Sequence, residues 1–277
     1  MLLSIFLGLV QGIAEFLPIS SSGHLSVLQN LINLNYSESA HLFFDVLLHF
    51  GTLCSVFFFY RMDLKRMSKE TMSFLSGQRR EGIAEGGRFT GGVRTVFFVV
   101  IATLPLVIVL PFYDQIESLY YNTTFIGFAF LITGGLLFVS DKLSEGKKSE
   151  KTFTIADALV IGLAQVIAVI PGLSRSGTTI TVGMSRGLSR DFAVKFSFIL
   201  SIPAVLASVL VSILKAFQNG ISWKLVPVYL IGMATAGISG YFAIKIVRYL
   251  SEKAKLGKFA YYCWAVGILT LILSIVL

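Results

Sequence analysis

Apolar residues run through this chain in long blocks rather than in alternation. Six blocks, at 41–60, 91–113, 125–139, 196–217, 225–247 and 259–277, are long enough, or nearly so, to cross a bilayer as helices, which takes about 20 residues. The block at 125–139 is the shortest. Two further apolar regions, 2–34 and 154–188, are each broken near the middle by Pro, Gly and Ser. Their halves are too short to cross, so each region predicts a helical hairpin that leaves by the side it entered. Such a re-entrant turn needs burial in protein or a wet cavity, because lipid cannot satisfy its backbone. The absence of period-two alternation argues against a membrane barrel.

Composition agrees with the pattern. Of 277 residues, 55% are hydrophobic and 14% charged, and the mean hydropathy is +0.80. Soluble domains carry about 25% charged residues, so an integral membrane protein is expected. The formal net charge of +8 fits Lys and Arg gathered in cytoplasmic loops. No nucleic-acid-binding motif accompanies it, and no nucleic-acid partner is expected. Cys54 and Cys263 stand singly in apolar segments and read as packing residues. No basic residue precedes Arg61, so a cleavable signal peptide is not expected.

The charges also orient the spans. Segments 61–94, 141–151 and 245–258, with Arg186, Arg190 and Lys195, are rich in Lys and Arg and are expected inside. Segments 113–124 ("YDQIESLYYNTT") and 218–224 ("QNGISWK") are expected outside, as are both termini. The first hairpin then enters from outside and the second from the cytoplasm, each followed by three spans. The expected fold is an all-α membrane protein of six transmembrane helices plus two re-entrant helical hairpins in an inverted-topology repeat. It forms a single domain, 1–277, whose halves are 1–139 and 154–277. In support, "GLVQGIAEFLPISSSG" (8–23) aligns without a gap with "GLAQVIAVIPGLSRSG" (162–177). In such repeats the functional site usually lies near the midplane, where the broken helices meet.

The hairpin tips carry the chemistry. Gln11 and Glu15 are four apart and share a helix face. A carboxylate at membrane depth costs at least about 2.5–3.5 kcal/mol on insertion scales and so calls for a polar cavity or a partner. His24 follows the cluster Ser20, Ser21, Ser22. At the second tip, Arg175 is the only base between Lys151 and Arg186 and is flanked by Ser174, Ser176, Thr178 and Thr179. Hydroxyls, a helix start and a planar guanidinium make an anion site. Should the tips meet, an acid, a histidine, hydroxyls and a phosphate-binding Arg converge, which is equipment for phosphoryl transfer from an amphiphilic substrate. His41, Asp45 and His49, spaced by four on one helix face, suggest a metal or, preferably, a supporting role.

At "QGIAEFLPISSSGHL" and "PGLSRSGTT" the chain resembles the undecaprenyl-pyrophosphate phosphatase family of bacteria, the bacitracin-resistance proteins. The likeness covers essentially the whole chain. It implies a multi-pass enzyme of the inner membrane with its active site toward the outer side, two re-entrant hairpins, and a divalent metal, Mg²⁺ or Ca²⁺. Its substrate would be a polyprenyl pyrophosphate, the lipid carrier released by cell-wall polymer synthesis, held among membrane lipids. Carried over, Gln11 and Glu15 fall at the paired acidic positions and the expected metal site. Ser20, Ser21 and His24 fall at the first loop, and Ser174, Arg175 and Thr179 at the second. Many members have Glu where Gln11 stands, and often Gln where His49 stands. The catalytic set is then Glu15, Ser21, His24 and Arg175, with Ser20, Ser22, Ser174, Ser176, Thr178 and Thr179 binding substrate. The nucleophile stays open among His24, Ser21 and a metal-bound water, and the oligomeric state, a homodimer included, stays open too. The competing class is a lipid flippase or secondary transporter. A second lipid phosphatase family sharing Ser-Gly-His is excluded, because it needs a His after the Arg and the only histidines are His24, His41 and His49.

Overall fold

Uncharged apolar runs can satisfy their backbone polar groups in lipid only as helices, and the computed structural model is helical almost throughout. It describes residues 1–32, 38–76, 83–84, 88–89, 91–219 and 225–276. The first half comprises α1 (Leu2–Phe16), α2 (Ser21–Ile32), α3 (Glu38–Phe59), α4 (Arg61–Leu75), α5 (Gly91–Thr103), a 3₁₀ segment (Leu104–Phe112), α6 (Tyr113–Leu119) and α7 (Thr123–Ser140). The second comprises α8 (Ile155–Ile167), α9 (Arg175–Ser185), α10 (Arg190–Asn219), α11 (Val226–Glu252) and α12 (Lys258–Val276). A two-residue strand pair, Ile83–Ala84 with Arg88–Phe89, interrupts the series.

Five described segments are long and apolar enough to cross a membrane: Gly91–Leu119, Thr123–Ser140, Arg190–Val211, Val226–Glu252 and Lys258–Ile275. A sixth arises if α3 and α4, bent by 77° at Tyr60, are counted as one. The expected spans fall on these helices, although Leu34 and Leu277 lie outside the described residues. The sequence reading places 61–94 inside on its Lys and Arg and assigns it no element; residues 61–75 are helical. Met67 and Ser73 of α4 are buried, and its Arg66 reaches Glu150 at 3.0 Å. Cys263 is buried as a packing residue should be, but Cys54 is exposed on α3.

The two broken regions behave as their composition dictates. Pro18 and the neighbouring serines end α1, and "PGLS" separates α8 from α9. At the first tip Gly23 N–H donates to Ser20 Oγ at 3.3 Å, and Ser20 Oγ lies 3.4 Å from Ser22 Oγ. At the second, Gly177 N–H donates to Ser174 Oγ at 3.1 Å, and Ser174 Oγ lies 3.3 Å from Ser176 Oγ. The aligned serines thus cap the returning helices in the same way, each satisfying a donor of the first turn. The backbone solves the turns differently. Ser20 itself takes φ +67°, while in the second tip Gly172 takes φ +90°. Gly172 also packs where a Cβ would sit 2.6 Å from that of Ala129.

Helix α1 is seated on α11 through small residues. A Cβ on Gly8 would stand 2.5 Å from the Gly232 carbonyl oxygen, and one on Gly12 only 1.9 Å from Ser239 Oγ and 2.5 Å from the Ala236 carbonyl oxygen. Such close approach of backbones is how membrane helices gain packing energy. Gly12→Ala is therefore expected to destabilise by at least about 1–3 kcal/mol through overpacking. The fall should appear in the melting temperature in detergent; an unchanged value would mean that α1 and α11 are further apart.

Behind the tips, a phenylalanine-rich core joins α1, α5, α8, α10 and α11. Phe16 meets Phe198 edge to face at 5.2 Å, and Phe153 meets Phe98 and Phe196 at 4.8 and 4.7 Å. The start of α8 is fixed by a fully buried Asp157. It forms a capping box with Thr154 and takes hydrogen bonds from Lys148 Nζ at 2.8 and 2.9 Å and from Arg186 Nε at 3.0 Å. Burial alone would raise the Asp157 pKa; the contacts with Lys148, Thr154 and Arg186 outweigh it and hold the carboxyl below its usual value. A lowered folded-state value stabilises the protein above the unfolded pKa of about 3.9, and that stability is lost as pH falls through the folded value. Asp157→Asn keeps a capping side chain and removes the charge. It should cost about 1–3 kcal/mol at neutral pH, a figure kept modest because Lys148 and Arg186 are part-exposed and rehydrate. The difference from wild type should shrink below pH 4 if melting temperatures are followed with pH, and a pH-independent difference would refute the charged pairing.

Candidate active site

The tips meet. Gly177 lies against Pro18, and Gly23 against Gly172, each at a spacing that leaves no room for a Cβ without displacement. Thr133 of α7 anchors the second tip: its Oγ1 donates to the Gly172 carbonyl at 3.0 Å and accepts from Ser174 N–H at 3.1 Å. The contact brings Glu15, one turn before the first break, to Arg175, the first residue of α9.

Glu15 is the centre of the arrangement. Its Oε1 is paired with the Arg175 guanidinium. Its Oε2 accepts from Ser21 Oγ at 2.6 Å and from Gln11 Nε2 at 3.0 Å, and lies 3.5 Å from His49 Nε2. His49 Nδ1 is 2.8 Å from the Asp45 carbonyl oxygen, which needs it protonated, so Nε2 is the nitrogen turned to the carboxylate. Asp45 in turn accepts from Gln29 Nε2 at 2.6 Å. A buried carboxylate is tolerated when paired and hydrogen-bonded, and here four side chains from α1, α2, α3 and α9 share that task.

The cluster faces a cavity of 440 Å³. Glu15, His49, Arg175 and the serines at 20, 21, 22, 174 and 176 form polar parts of its lining. Much of the remaining wall is apolar, from Leu106, Val107 and Leu110 of the 3₁₀ segment and Ala204, Ala207 and Val211 of α10. Pro105 and Pro111 lie within that segment, where a missing N–H and a fixed φ disfavour an α-helix. Tyr113, Glu117 and Tyr120 add polar groups along the same cavity.

Not every expected residue joins the cluster. His24 is not among the cavity-lining residues. Its Nδ1 lies 2.7 Å from the Ser20 carbonyl oxygen and its Nε2 2.8 Å from Tyr262 Oη, with the ring stacked on Tyr262 and edge-on to Phe130. Both ring nitrogens are thus engaged away from Glu15, and the histidine beside the carboxylate is His49. Thr178 and Thr179 also lie off the cavity. Thr179 Oγ1 bonds the Arg175 carbonyl at 2.9 Å and Ser197 Oγ at 2.6 Å, and so steadies α9. The His41 side chain lies outside the described residues.

For a divalent cation the donor set is thin. Among the described residues no three His, Cys, Asp or Glu side chains gather to hold one. Glu15 is the carboxylate that Gln11, Ser21, His49 and Arg175 surround, with Asp45 and Glu117 also on the cavity wall, and among the described residues Gln11 Oε1 is buried with no hydrogen-bond partner. Turning the Gln11 amide by half a turn places that oxygen beside the carboxylate. Two protein oxygens fit an ion such as Mg²⁺, which is commonly held by one or two carboxylates together with substrate phosphates.

One residue, Gln165, was not singled out by the sequence reading, and another, His49, was expected only in a metal or supporting role. His49 was visible only as part of a helical stripe, since its approach to Glu15 depends on how α3 crosses α1. Gln165, which lines the cavity, was legible through its alignment with Gln11.

The profile of the family described as "Bacitracin resistance protein BacA" matches residues 4–269. An undecaprenyl-diphosphatase of Methanobrevibacter smithii is 40% identical over 274 residues, covering 98% of this chain and 97% of the relative. One of Alkaliphilus metalliredigens is 37% identical, covering 98% of both chains. One of Halothermothrix orenii is 38% identical, covering 98% of this chain and 96% of the relative.

Proposed function

The chain belongs to the bacitracin resistance protein BacA family, and from that premise we infer that it is an undecaprenyl-diphosphatase. It is a multi-pass membrane phosphatase that hydrolyses undecaprenyl pyrophosphate to undecaprenyl phosphate and inorganic phosphate. It thereby returns the lipid carrier to cell-wall synthesis, the activity from which bacitracin resistance follows. The observation that carries its chemistry is one buried carboxylate, Glu15, joining the Ser21 hydroxyl from one tip to the Arg175 guanidinium from the other.

Ser21 is the nucleophile favoured by this geometry. As its Oγ attacks the terminal phosphorus, Glu15 Oε2 takes the hydroxyl proton. The bond from that phosphorus to the bridging oxygen breaks, and undecaprenyl phosphate leaves. Glu15 passes its proton to that leaving group, takes one from the water that then attacks the phosphoserine, and returns it to Ser21 Oγ as inorganic phosphate departs. Arg175 offers N–H groups beyond the one on Glu15 to the phosphoryl oxygens, where charge accumulates in the transition state. Glu15 and Gln11 would hold a divalent cation together with the substrate, and it would supply charge neutralisation. Ser20, Ser22, Ser174 and Ser176 line the diphosphate end, and His49 keeps Glu15 oriented. His24, joined to the Ser20 carbonyl, positions the first loop.

The finer architecture belongs to the same proposal. Six spans and two re-entrant hairpins form inverted halves, 1–139 and 154–277, with the cavity opening toward the outer face of the inner membrane. The matched serine caps and the distribution of Lys and Arg support it. The deciding experiment is release of inorganic phosphate from undecaprenyl pyrophosphate by the purified protein in detergent. A flippase or transporter would release none there.

A further inference from the structure

Gln165 lies on α8, half a turn before its end, is 1% exposed, and lines the cavity. Among the described residues neither its Nε2 nor its Oε1 has a hydrogen-bond partner. A buried amide unpaired at both ends is rare in folded proteins and asks for an explanation. The repeat supplies part of one. Gln165 aligns with Gln11, whose Nε2 donates to Glu15 Oε2 at 3.0 Å. In the second half the position of Glu15 is held by Val169, also on the cavity wall. The same amide is present, and the carboxylate that answers it is not.

Building on the diphosphatase reading, we propose that Gln165 binds the substrate's diphosphate, its Nε2–H groups donating to phosphoryl oxygens from the α8 wall. A diphosphate presents only acceptor oxygens, and the donors already assigned are partly engaged. Arg175 is paired with Glu15, Ser21 donates to Glu15, and the hydroxyls of Ser20 and Ser174 pair with those of Ser22 and Ser176. Gln165 lines the same cavity from another helix, with two N–H groups to give. Being neutral, it adds hydrogen bonds without changing the charge of the site. A donor on a second wall matters to a ligand with two phosphates and little to a single phosphate. Gln165 is therefore a specificity residue that favours the diphosphate over inorganic phosphate.

The test uses the full-length protein in detergent, as wild type, Gln165→Leu and Gln165→Glu. Hydrolysis of undecaprenyl pyrophosphate is followed with methylenediphosphonate and inorganic phosphate as competitors. Gln165→Leu should raise KM and the methylenediphosphonate inhibition constant together by about tenfold, the worth of one buried hydrogen bond. Inhibition by inorganic phosphate and kcat should each stay within about threefold. Gln165→Glu should raise KM further, by placing a like charge at the diphosphate. The melting temperature of the leucine variant should not fall, because an unpaired buried amide is removed. If that variant fails to fold, Gln165→Met, unbranched and of similar length, replaces it. Unchanged KM and inhibition constant would overturn the proposal and leave a structural or water-paired amide, as would a loss confined to kcat. No hydrolysis by the wild type would instead count against the diphosphatase reading. Calorimetric binding of methylenediphosphonate to wild type and variant would still decide the role of Gln165.

Discussion

Arg175→Ala is expected to lower turnover of undecaprenyl pyrophosphate by about 10³-fold or more, the scale on which an arginine at a transferring phosphoryl group acts. The effect is twofold. The substrate loses a planar fork of charge-assisted donors, and Glu15 loses the cation on its Oε1. The second loss also threatens the fold, since removing one partner of a buried pair costs about 3–5 kcal/mol. Arg175→Lys separates the two. Lysine keeps a charge for Glu15 but offers a point charge in place of the fork. It should melt within a few degrees of wild type and still lose much of the affinity for diphosphate. Measured together, kcat/KM and melting temperature decide the matter. Near-normal turnover in the alanine variant would move the phosphate site elsewhere.

Ser21→Ala should lose about 10⁴-fold or more, as expected when a nucleophile is removed from a unit that acts together. Glu15→Gln should lose about 10²–10⁴-fold, the range for a general base. If, as proposed, the carboxylate also holds a divalent cation, raised Mg²⁺ should restore part of it. The double variant should be no worse than Ser21→Ala alone, since a base without its nucleophile has nothing to deprotonate. His24→Ala should lose less than Ser21→Ala, because the His24 ring bonds the Ser20 carbonyl and Tyr262 rather than the Glu15 cluster. Should Ser21→Ala keep a tenth of wild-type activity while His24→Ala is inert, the attack on phosphorus is to be reassigned to His24.

Much of the fold was legible because the bilayer allows few solutions. A span needs about 20 apolar residues, and a Pro-Gly-Ser break in a shorter run leaves a hairpin. That Glu15 needs a partner or a polar cavity was legible too, because a carboxylate at membrane depth is costly; that the partner is Arg175, read from sequence as a phosphate-binding residue, was not. What stayed hidden depends on rotation of helices about their axes. Whether His24 or His49 faces Glu15 is decided by how α2 and α3 pack, and the spacing of histidines in sequence does not fix that. Thr178 and Thr179 share the second motif with Arg175, yet they lie a turn further along α9, where Thr179 Oγ1 meets the Arg175 carbonyl and Ser197 Oγ. Helix α4 stands out in sequence only as a basic stretch, because its charges are dense. Its inward residues, Leu64, Met67 and Ser73, are too few to stand out from them.

The small-residue crossing of α1 and α11 sets a mechanical rule for the site. Long side chains between two helices can yield by changing rotamer, but where Gly8 meets Gly232 and Gly12 meets Ala236 the spacer is backbone. Backbone does not yield, so added volume there is transmitted along α1 as a rigid shift of the end that carries Glu15. A displacement of about 1 Å can cost about 100-fold in rate. Saturation mutagenesis scored for growth under bacitracin should therefore reveal intolerance at Gly8 and Gly12, where an added Cβ would meet the Gly232 and Ala236 carbonyls. It would be ordered by side-chain volume and indifferent to polarity, and it would lie where no reacting atom is found.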